Sequence, residues 1–228
     1  MSTNPYVTSK LFTFLRTLEK NNNRAWFQEN KERYTGVVRD PLLHFISDFG
    51  PHLAKISKHM VADPRPNGGS LFRIYRDTRF SKDKTPYKTI AGVHFKHEDA
   101  KDVHAPGFYL HLEPGGSFLG AGIWRPDPKT ALRVREAIVE SPAEWKKFRK
   151  GAFAKRFALE GDSLKRPPRG FDPEHECIED LKRKDFIVVT KLEKSMLVSP
   201  RFLPEFTKLC RQASPFVSFV ARALDLRY

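Results

Sequence analysis

The apolar positions along this chain change rhythm twice. From Ser9 onward, Leu11, Phe12, Phe14, Leu15 and Leu18 recur at helical spacing, and the run stops at Asn21-Asn22-Asn23, residues suited to cap a second helix beginning near Arg24. That second helix carries Trp26, Phe27 and Tyr34. A third follows Pro41, with Leu42, Leu43, Phe45, Ile46, Phe49 and Leu53 along its apolar stripe. Pro64, Pro66, Gly68 and Gly69 then end the 3.6-residue rhythm and give way to short runs punctuated by Gly and Pro. These predict strands over 71–77, 90–97, 107–113 and 117–124, the last two joined by the turn Glu113-Pro114-Gly115-Gly116-Ser117.

Helical spacing returns over 128–140 and 142–158, where Asp127-Pro128 and Ser141-Pro142 supply N-cap and first-turn residues. A basic, proline-broken loop, 165–170, leads to a helix over 174–183, a Val- and Ile-rich strand from Phe186 to Leu192, and helices over 201–211 and 215–226. The pattern predicts one α+β domain over 1–228. Its parts are a helical region at 8–58, an antiparallel sheet at 70–125, and a helical region with one strand at 127–228. About five strands in all pack against N-terminal and C-terminal helices.

Composition supports a folded chain: 39% of the 228 residues are hydrophobic and 12% aromatic, enough to fill a sizeable core. Charge adds a functional hint. Forty-one Lys and Arg against 27 Asp and Glu leave +14, a field that concentrates phosphates, nucleic acids or acidic surfaces without choosing among them. The two cysteines, Cys177 and Cys210, make no CxxC or zinc-ligand spacing, which points to a reducing compartment. The first ten residues hold no apolar signal core, and no apolar run approaches the roughly 20 residues of a membrane span. The expectation is a cytoplasmic protein with no membrane partner.

The densest candidate chemistry lies between Arg73 and Gly92. Arg73, Arg76, Arg79, Lys82, Lys84 and Lys88 stand against Asp77 and Asp83, a local charge of +4. If 71–77 is a strand, its period of two turns Arg76 the same way as Phe72 and Ile74, and a guanidinium carried toward a core requires a carboxylate or a bound anion beside it. Arg forks suit phosphate or carboxylate, Lys adds a point charge, and the Tyr87 hydroxyl can donate a proton. Arg73, Arg76, Arg79, Lys84 and Lys88 are the candidate anion ligands, and Asp77 and Tyr87 candidate catalytic groups. The competing reading is a solvated loop whose charges pair with one another.

The run Arg73-Ile-Tyr-Arg76-Asp77-Thr-Arg79-Phe80-Ser-Lys-Asp83-Lys84-Thr-Pro-Tyr87-Lys88-Thr-Ile-Ala-Gly92 resembles the signature of a mostly bacterial group of conserved hypothetical proteins, domain of unknown function family 2461. Two further stretches are similar to that family: Asn23-Arg24-Ala-Trp26-Phe27 with Asn30-Lys31, and the glycine-rich Tyr109 to Pro126. The similar length of its members implies that the resemblance covers nearly the whole chain. It implies no activity.

In the predicted strand 107–113, Tyr109, His111 and Glu113 share one face, and His111 with Glu113 would make a general acid/base pair if that face borders the Arg/Lys segment. The alternative is an ordinary solvent-facing strand. His94, His97, His104 and His111 fall close together, but His94 and His97 face opposite ways on one strand, so no metal site and no cofactor is expected. A second basic run, Lys146 to Arg156, interleaves aromatics with charge as a phosphate-backbone footprint does. With no RRM, KH, zinc-finger or helix-turn-helix signature beside it, the run reads better as an amphipathic helix with Trp145, Phe148, Phe153 and Phe157 turned inward. Three readings follow: a site for a small phosphorylated or other anionic ligand, a nucleic-acid-binding module, or a non-catalytic interaction protein. Neither the reaction, if any, nor the oligomeric state is written in the pattern.

Overall fold

The computed structural model describes residues 4–99 and 104–228. The N-terminal helices form where the apolar spacing places them. Helix α1, Ser9–Lys20, buries Leu11, Phe12, Phe14, Leu15 and Leu18. Asn23 then accepts a hydrogen bond from the Trp26 N–H and starts α2, Arg24–Glu29. Helix α3, Lys31–Tyr34, runs through a π-turn, Thr35–Arg39, into α4, Asp40–Ala54, which buries Leu42, Phe45, Ile46, Phe49 and Leu53.

Strands β1 (Ala91–Lys96), β2 (Gly107–Leu112) and β3 (Phe118–Ile123) make an antiparallel meander. After it come α5 (Pro128–Glu140), capped by the Asp127 carboxylate, α6 (Pro142–Trp145) and α7 (Gly151–Arg156). The remaining elements are β4 (Ala158–Glu160), α8 (Ile178–Leu181), β5 (Phe186–Lys191), α9 (Lys194–Leu197) and α10 (Phe202–Ala223). The described strands form one five-stranded antiparallel sheet in the order β1-β2-β3-β5-β4. This is the predicted α+β architecture.

Four local expectations are corrected. No regular strand forms at 71–77. Its backbone pairs first with the outer edge of β1, through Phe72 N to Gly92 O (2.9 Å) and His94 N to Ser70 O (2.8 Å), and then with residues 86–88, through Arg76 N to Pro86 O (2.9 Å) and Lys88 N to Ile74 O (2.7 Å). Because it changes partners midway, the ladder breaks, yet burial still alternates: Phe72, Ile74 and Arg76 are covered more than Arg73, Tyr75 and Asp77, which are exposed. The fifth strand is instead the short β4, which has too few residues for alternation to show.

The helix predicted over 142–158 breaks at Lys150, which is extended, and Gly151, which sits at φ +64°. Between α6 and that break the chain is a 3-10 turn, Lys146–Arg149. The helix expected over 174–183 contracts to the single turn of α8. Conversely, the two helices expected at 201–211 and 215–226 are one, α10, which passes through Pro215. The missing proline N–H is tolerated because Ala213, Phe216, Val217, Phe219 and Val220 on either side of it are buried.

The buried side chains form one continuous cluster. Phe45 and Phe49 of α4 meet Phe202 and Phe206 of α10 and Phe95 of β1, and Trp145 packs on Phe148, Phe216 and Phe219. Trp145, Phe148 and Phe157 are indeed turned inward, as the amphipathic reading of that basic run requires. Helices therefore cover one side of the sheet. No helix among the described residues is long and apolar enough to cross a membrane.

Candidate functional site on the open face of the sheet

The register fixes which side chains share a side. Val93, Phe95, Phe108, Leu110, Leu119, Ala121, Phe186 and Val188 all face the helices and are buried. The opposite face carries a different population. It holds Gly92, His94 and Lys96 on β1, Gly107, Tyr109 and His111 on β2, and Phe118, Gly120 and Gly122 on β3. Ile187, Val189 and Lys191 of β5 and Ala158 and Glu160 of β4 continue it. Among the described residues no long helix covers this face.

Two of its glycines create space for rings. A Cβ on Gly92 would stand 2.5 Å from the Tyr109 hydroxyl oxygen, and one on Gly107 would run into the Phe95 carbonyl oxygen as well as standing 3.0 Å from His94 Nε2. Thus β1 and β2 each offer a bare backbone position over which the other strand's ring lies down, a close approach only glycine permits. Lying flat, Tyr109 brings its hydroxyl to His111 Nδ1 (3.1 Å), and His111 Nε2 reaches Glu113 Oε2 (3.2 Å). The partners assign the protons: Tyr109 O–H donates to Nδ1, and Nε2–H donates to the carboxylate. His111 also stacks on Phe118, with centroids 4.5 Å apart and planes 13° from parallel.

Burial governs the ionisation of this row. It pushes the Tyr109 phenol up to about 12, with Glu113 adding to the effect. It lowers His111 against the opposing pull of Glu113, so the imidazole is neutral near pH 7. His94, buried and near Lys96 and His104, is pushed down to about 4. With the phenol so far from ionising, the row is a chain of hydrogen bonds that fixes the Tyr109 hydroxyl and the His111 tautomer.

Phe72 joins this face to the basic segment. Its ring lies 5.8 Å from that of Tyr109 and 6.2 Å from that of His94, and Lys88 Nζ stands 5.5 Å above it. Lys88 Nζ also donates to the Arg73 carbonyl (3.0 Å). Desolvation, then the neighbouring Arg73, lowers the Lys88 pKa. Among the described residues no carboxylate pairs with Lys88 or Arg73.

Arg76, Arg79 and Lys84 have partners within their own loop. The Arg76 guanidinium does not enter a core; it folds back onto Asp83 and onto Thr85 Oγ1 (2.5 Å). Arg76 lies on the less exposed side with Phe72 and Ile74, and the carboxylate it requires there is Asp83. Arg79 grips Asp77 through Nε (3.0 Å) and Nη2 (2.7 Å), and Lys84 Nζ caps the Thr78 carbonyl (2.9 Å). Asp77 is held at about 2, chiefly by the Arg79 side chain, and Asp83 at about 2, chiefly by the Thr85 N–H and then Arg76. A carboxylate so held is a poor proton acceptor near neutrality. Tyr87 is buried and stacked on Phe27 at 4.0 Å, and the Asn22 side-chain amide pins its backbone, accepting from Tyr87 N (3.1 Å) and donating to Tyr87 O (2.9 Å).

The structure therefore brings Lys88, His111 and Glu113 to one surface and leaves Arg76, Asp77, Arg79, Lys84 and Tyr87 as the framework of the adjoining loop. Phe118 and the two space-making glycines do not stand out from the chain, and the spacing of Phe72 and His94 assigns neither to this surface. Their signal was the alternation of glycine with ring side chains in neighbouring strands. His97 leaves the surface altogether: its Nε2 donates to the Arg227 carbonyl (2.7 Å) and its Nδ1 accepts from Asp99 N (3.1 Å).

Beside Phe118 the open face deepens into a trough of about 590 Å³, lined by the Gly115-Gly116 turn, Ala158, Val189, Lys155 and Arg156 among others. A second hollow of about 330 Å³ lies on the far side of Glu113, against Phe12, Arg16 and Leu197. A third, of about 390 Å³ between α5 and α10, holds acids and bases already paired, Arg133 with Asp225 and Arg222 with Glu144.

These features define an α+β protein with a single antiparallel sheet, helices on one face and an aromatic, glycine-floored surface on the other. The chain belongs to the family described as Conserved hypothetical protein (DUF2461), whose model matches residues 10–219. No curated protein and no solved structure matches the chain.

Proposed function

We propose that the open face of the sheet binds a small phosphorylated or otherwise anionic ligand, with its negative group at Lys88 and Arg73 and an oxygen at the Tyr109 hydroxyl. Lys88 carries the reading. A half-buried ammonium costs free energy unless an opposite charge compensates it, and a carbonyl oxygen compensates it only in part. The remaining need matches a phosphate or carboxylate. Arg76 and Arg79, already paired with Asp83 and Asp77, order the loop that presents Lys88 and do not hold the ligand.

The Tyr109-His111-Glu113 row supplies the chemistry. With His111 neutral, the Tyr109 O–H donates to Nδ1 and Nε2–H donates to Glu113, a chain that fixes the orientation of the hydroxyl a ligand would meet. With its own proton committed to His111 Nδ1, the Tyr109 oxygen is left as an acceptor, so a ligand hydroxyl placed there would donate to it.

Thermal unfolding in the presence of inorganic pyrophosphate tests the binding. The unmodified chain is expected to gain several degrees at millimolar pyrophosphate, through preferential binding to the folded state. The variant Lys88→Met, which keeps the apolar stem, is expected to lose that gain while retaining its ligand-free melting temperature within a few degrees. An Arg79→Met control keeps the gain. Equal stabilisation of the Lys88→Met variant, or none in the unmodified chain, removes this reading.

A further inference from the structure

We propose that the open face is a stacking platform for single-stranded nucleic acid, whose phosphates run from Lys88 at the β1 side to Lys155 and Arg156 at the β4 side. This rests on the anion reading of Lys88 and extends it to a class of ligand. Three observations carry it: the extent of the face, the placement of its rings and the charge at its two ends.

Five strands at about 4.8 Å spacing make a surface roughly 19 Å wide, too long for one mononucleotide and suited to a run of several. The rings offered along it are partly exposed and lie in sequence across strands. Phe72 leads to Tyr109, Tyr109 to His111 (centroids 5.8 Å) and His111 to Phe118 (4.5 Å). Beyond Phe118 lies the trough floored by Val189 and Ala158. Tyr109 lies over Gly92, and Phe118, stacked on one side against His111, also lines the trough, so ring surface on which bases stack without sequence preference is offered at both places.

At the open end of β3, Trp124 is 51% exposed, with the Arg125 guanidinium 4.4 Å from its ring centroid, a further planar surface beside the same face. The charges follow the same line. Lys155 and Arg156 are exposed on the trough wall and, among the described residues, pair with no carboxylate; Glu160 is the acid that faces them. A duplex presents its bases edge-on and hides their faces, so this surface favours single strands. The whole-chain charge of +14 favours the same partner at long range.

The test uses the full chain and fluorescence anisotropy with 5′-labelled oligo-dT and oligo-U of about 12 nucleotides, and the matching duplexes, at about 50 mM salt. Single strands are expected to bind at micromolar concentration or tighter, and at least tenfold tighter than the duplexes. Phe118→Ala is expected to weaken binding about tenfold through the loss of one stacking surface. Since that side chain also supports His111, Ala158→Asp, at an exposed position of the short edge strand β4, tests the trough separately and is expected to weaken binding by a similar factor. Replacing Lys155 and Arg156 together by Ala is expected to reduce the slope of log affinity against log salt by about 1.4.

Removing two exposed charges elsewhere, Lys208→Ala with Arg211→Ala on α10, serves as the control and is expected to leave that slope nearly unchanged. Absence of single-strand binding, duplex binding of equal strength, or equal losses in the control and trough variants overturns the proposal. If oligonucleotides fail while pyrophosphate still stabilises the chain through Lys88, the anion reading stands and this one falls. If both fail, both fall.

Discussion

At the scale of single residues, the site depends on what is missing as much as on what is present. Gly92 and Gly107 were read from the sequence as one end of a signature and the start of a strand, and neither drew attention as chemistry. The lack of a Cβ at Gly92 lets Tyr109 lie flat, which sets its hydroxyl against His111, and at Gly107 it admits the Phe95 carbonyl as well as the His94 ring. Gly92→Ala should therefore cost about 1–3 kcal/mol in urea unfolding by crowding the Tyr109 ring. In a double-mutant cycle with Tyr109→Ala most of that cost should disappear, because the truncated residue no longer crosses position 92. Purely additive losses would show that the glycine is needed for backbone reasons alone. His111 and Glu113 were legible as a pair because they stand two apart on a strand. That they meet Lys88 was not, since the bridge between them is Phe72, from a segment whose path cannot be read from its own alternation.

At the scale of elements, the errors share a cause. Helix α10 was divided in the sequence at Pro215 because proline lacks the donor for one helical hydrogen bond and crowds the preceding turn. The folded chain keeps the helix whole because the apolar side chains flanking that position are all buried. Pro215 itself is exposed. Pro215→Ala should therefore restore the missing bond without loss of packing and raise stability, by up to about 3 kcal/mol, measured as the unfolding midpoint in denaturant. A decrease would show that the ring makes a contact worth more than the bond. The segment 71–77 failed in the opposite direction. Its residues have strand-like composition, yet a strand exists only where a continuous partner does, and this segment is shared between β1 and residues 86–88.

At the scale of the whole molecule, pH acts through two distinct groups of residues. His94 binds fewer protons folded than unfolded, since burial holds it at about 4 against an ordinary value near 6.5. Its contribution is thus complete above about pH 6.5 and is lost progressively as pH falls toward 4, a decline of order 3 kcal/mol. Asp77 and Asp83, held at about 2, bind fewer protons folded as well, but their contribution persists through that range and fades only below the ordinary carboxylate value of 3.8. Urea unfolding at pH 7 and pH 5 should show the first loss, and His94→Gln should flatten it. An unchanged slope in that variant would move the effect to another imidazole, with His111 next in line because its pKa is also lowered.

The sequence by itself determined the helices of the first quarter, the three-strand meander, the inward turn of Trp145, Phe148 and Phe157, and the α+β class. Each of these depends on side-chain spacing within one element, and spacing is a property of the chain. Only the tertiary structure decided which charges are satisfied at home. Arg76 and Arg79 lie two to seven residues from their carboxylates, but folding back onto them depends on loop geometry that no period encodes. The same holds for the surface joining Lys88, Phe72, Tyr109, His111 and Phe118. It is assembled from four separate stretches of backbone by strand register and by two glycines, and proximity across strands exists only once the sheet has formed.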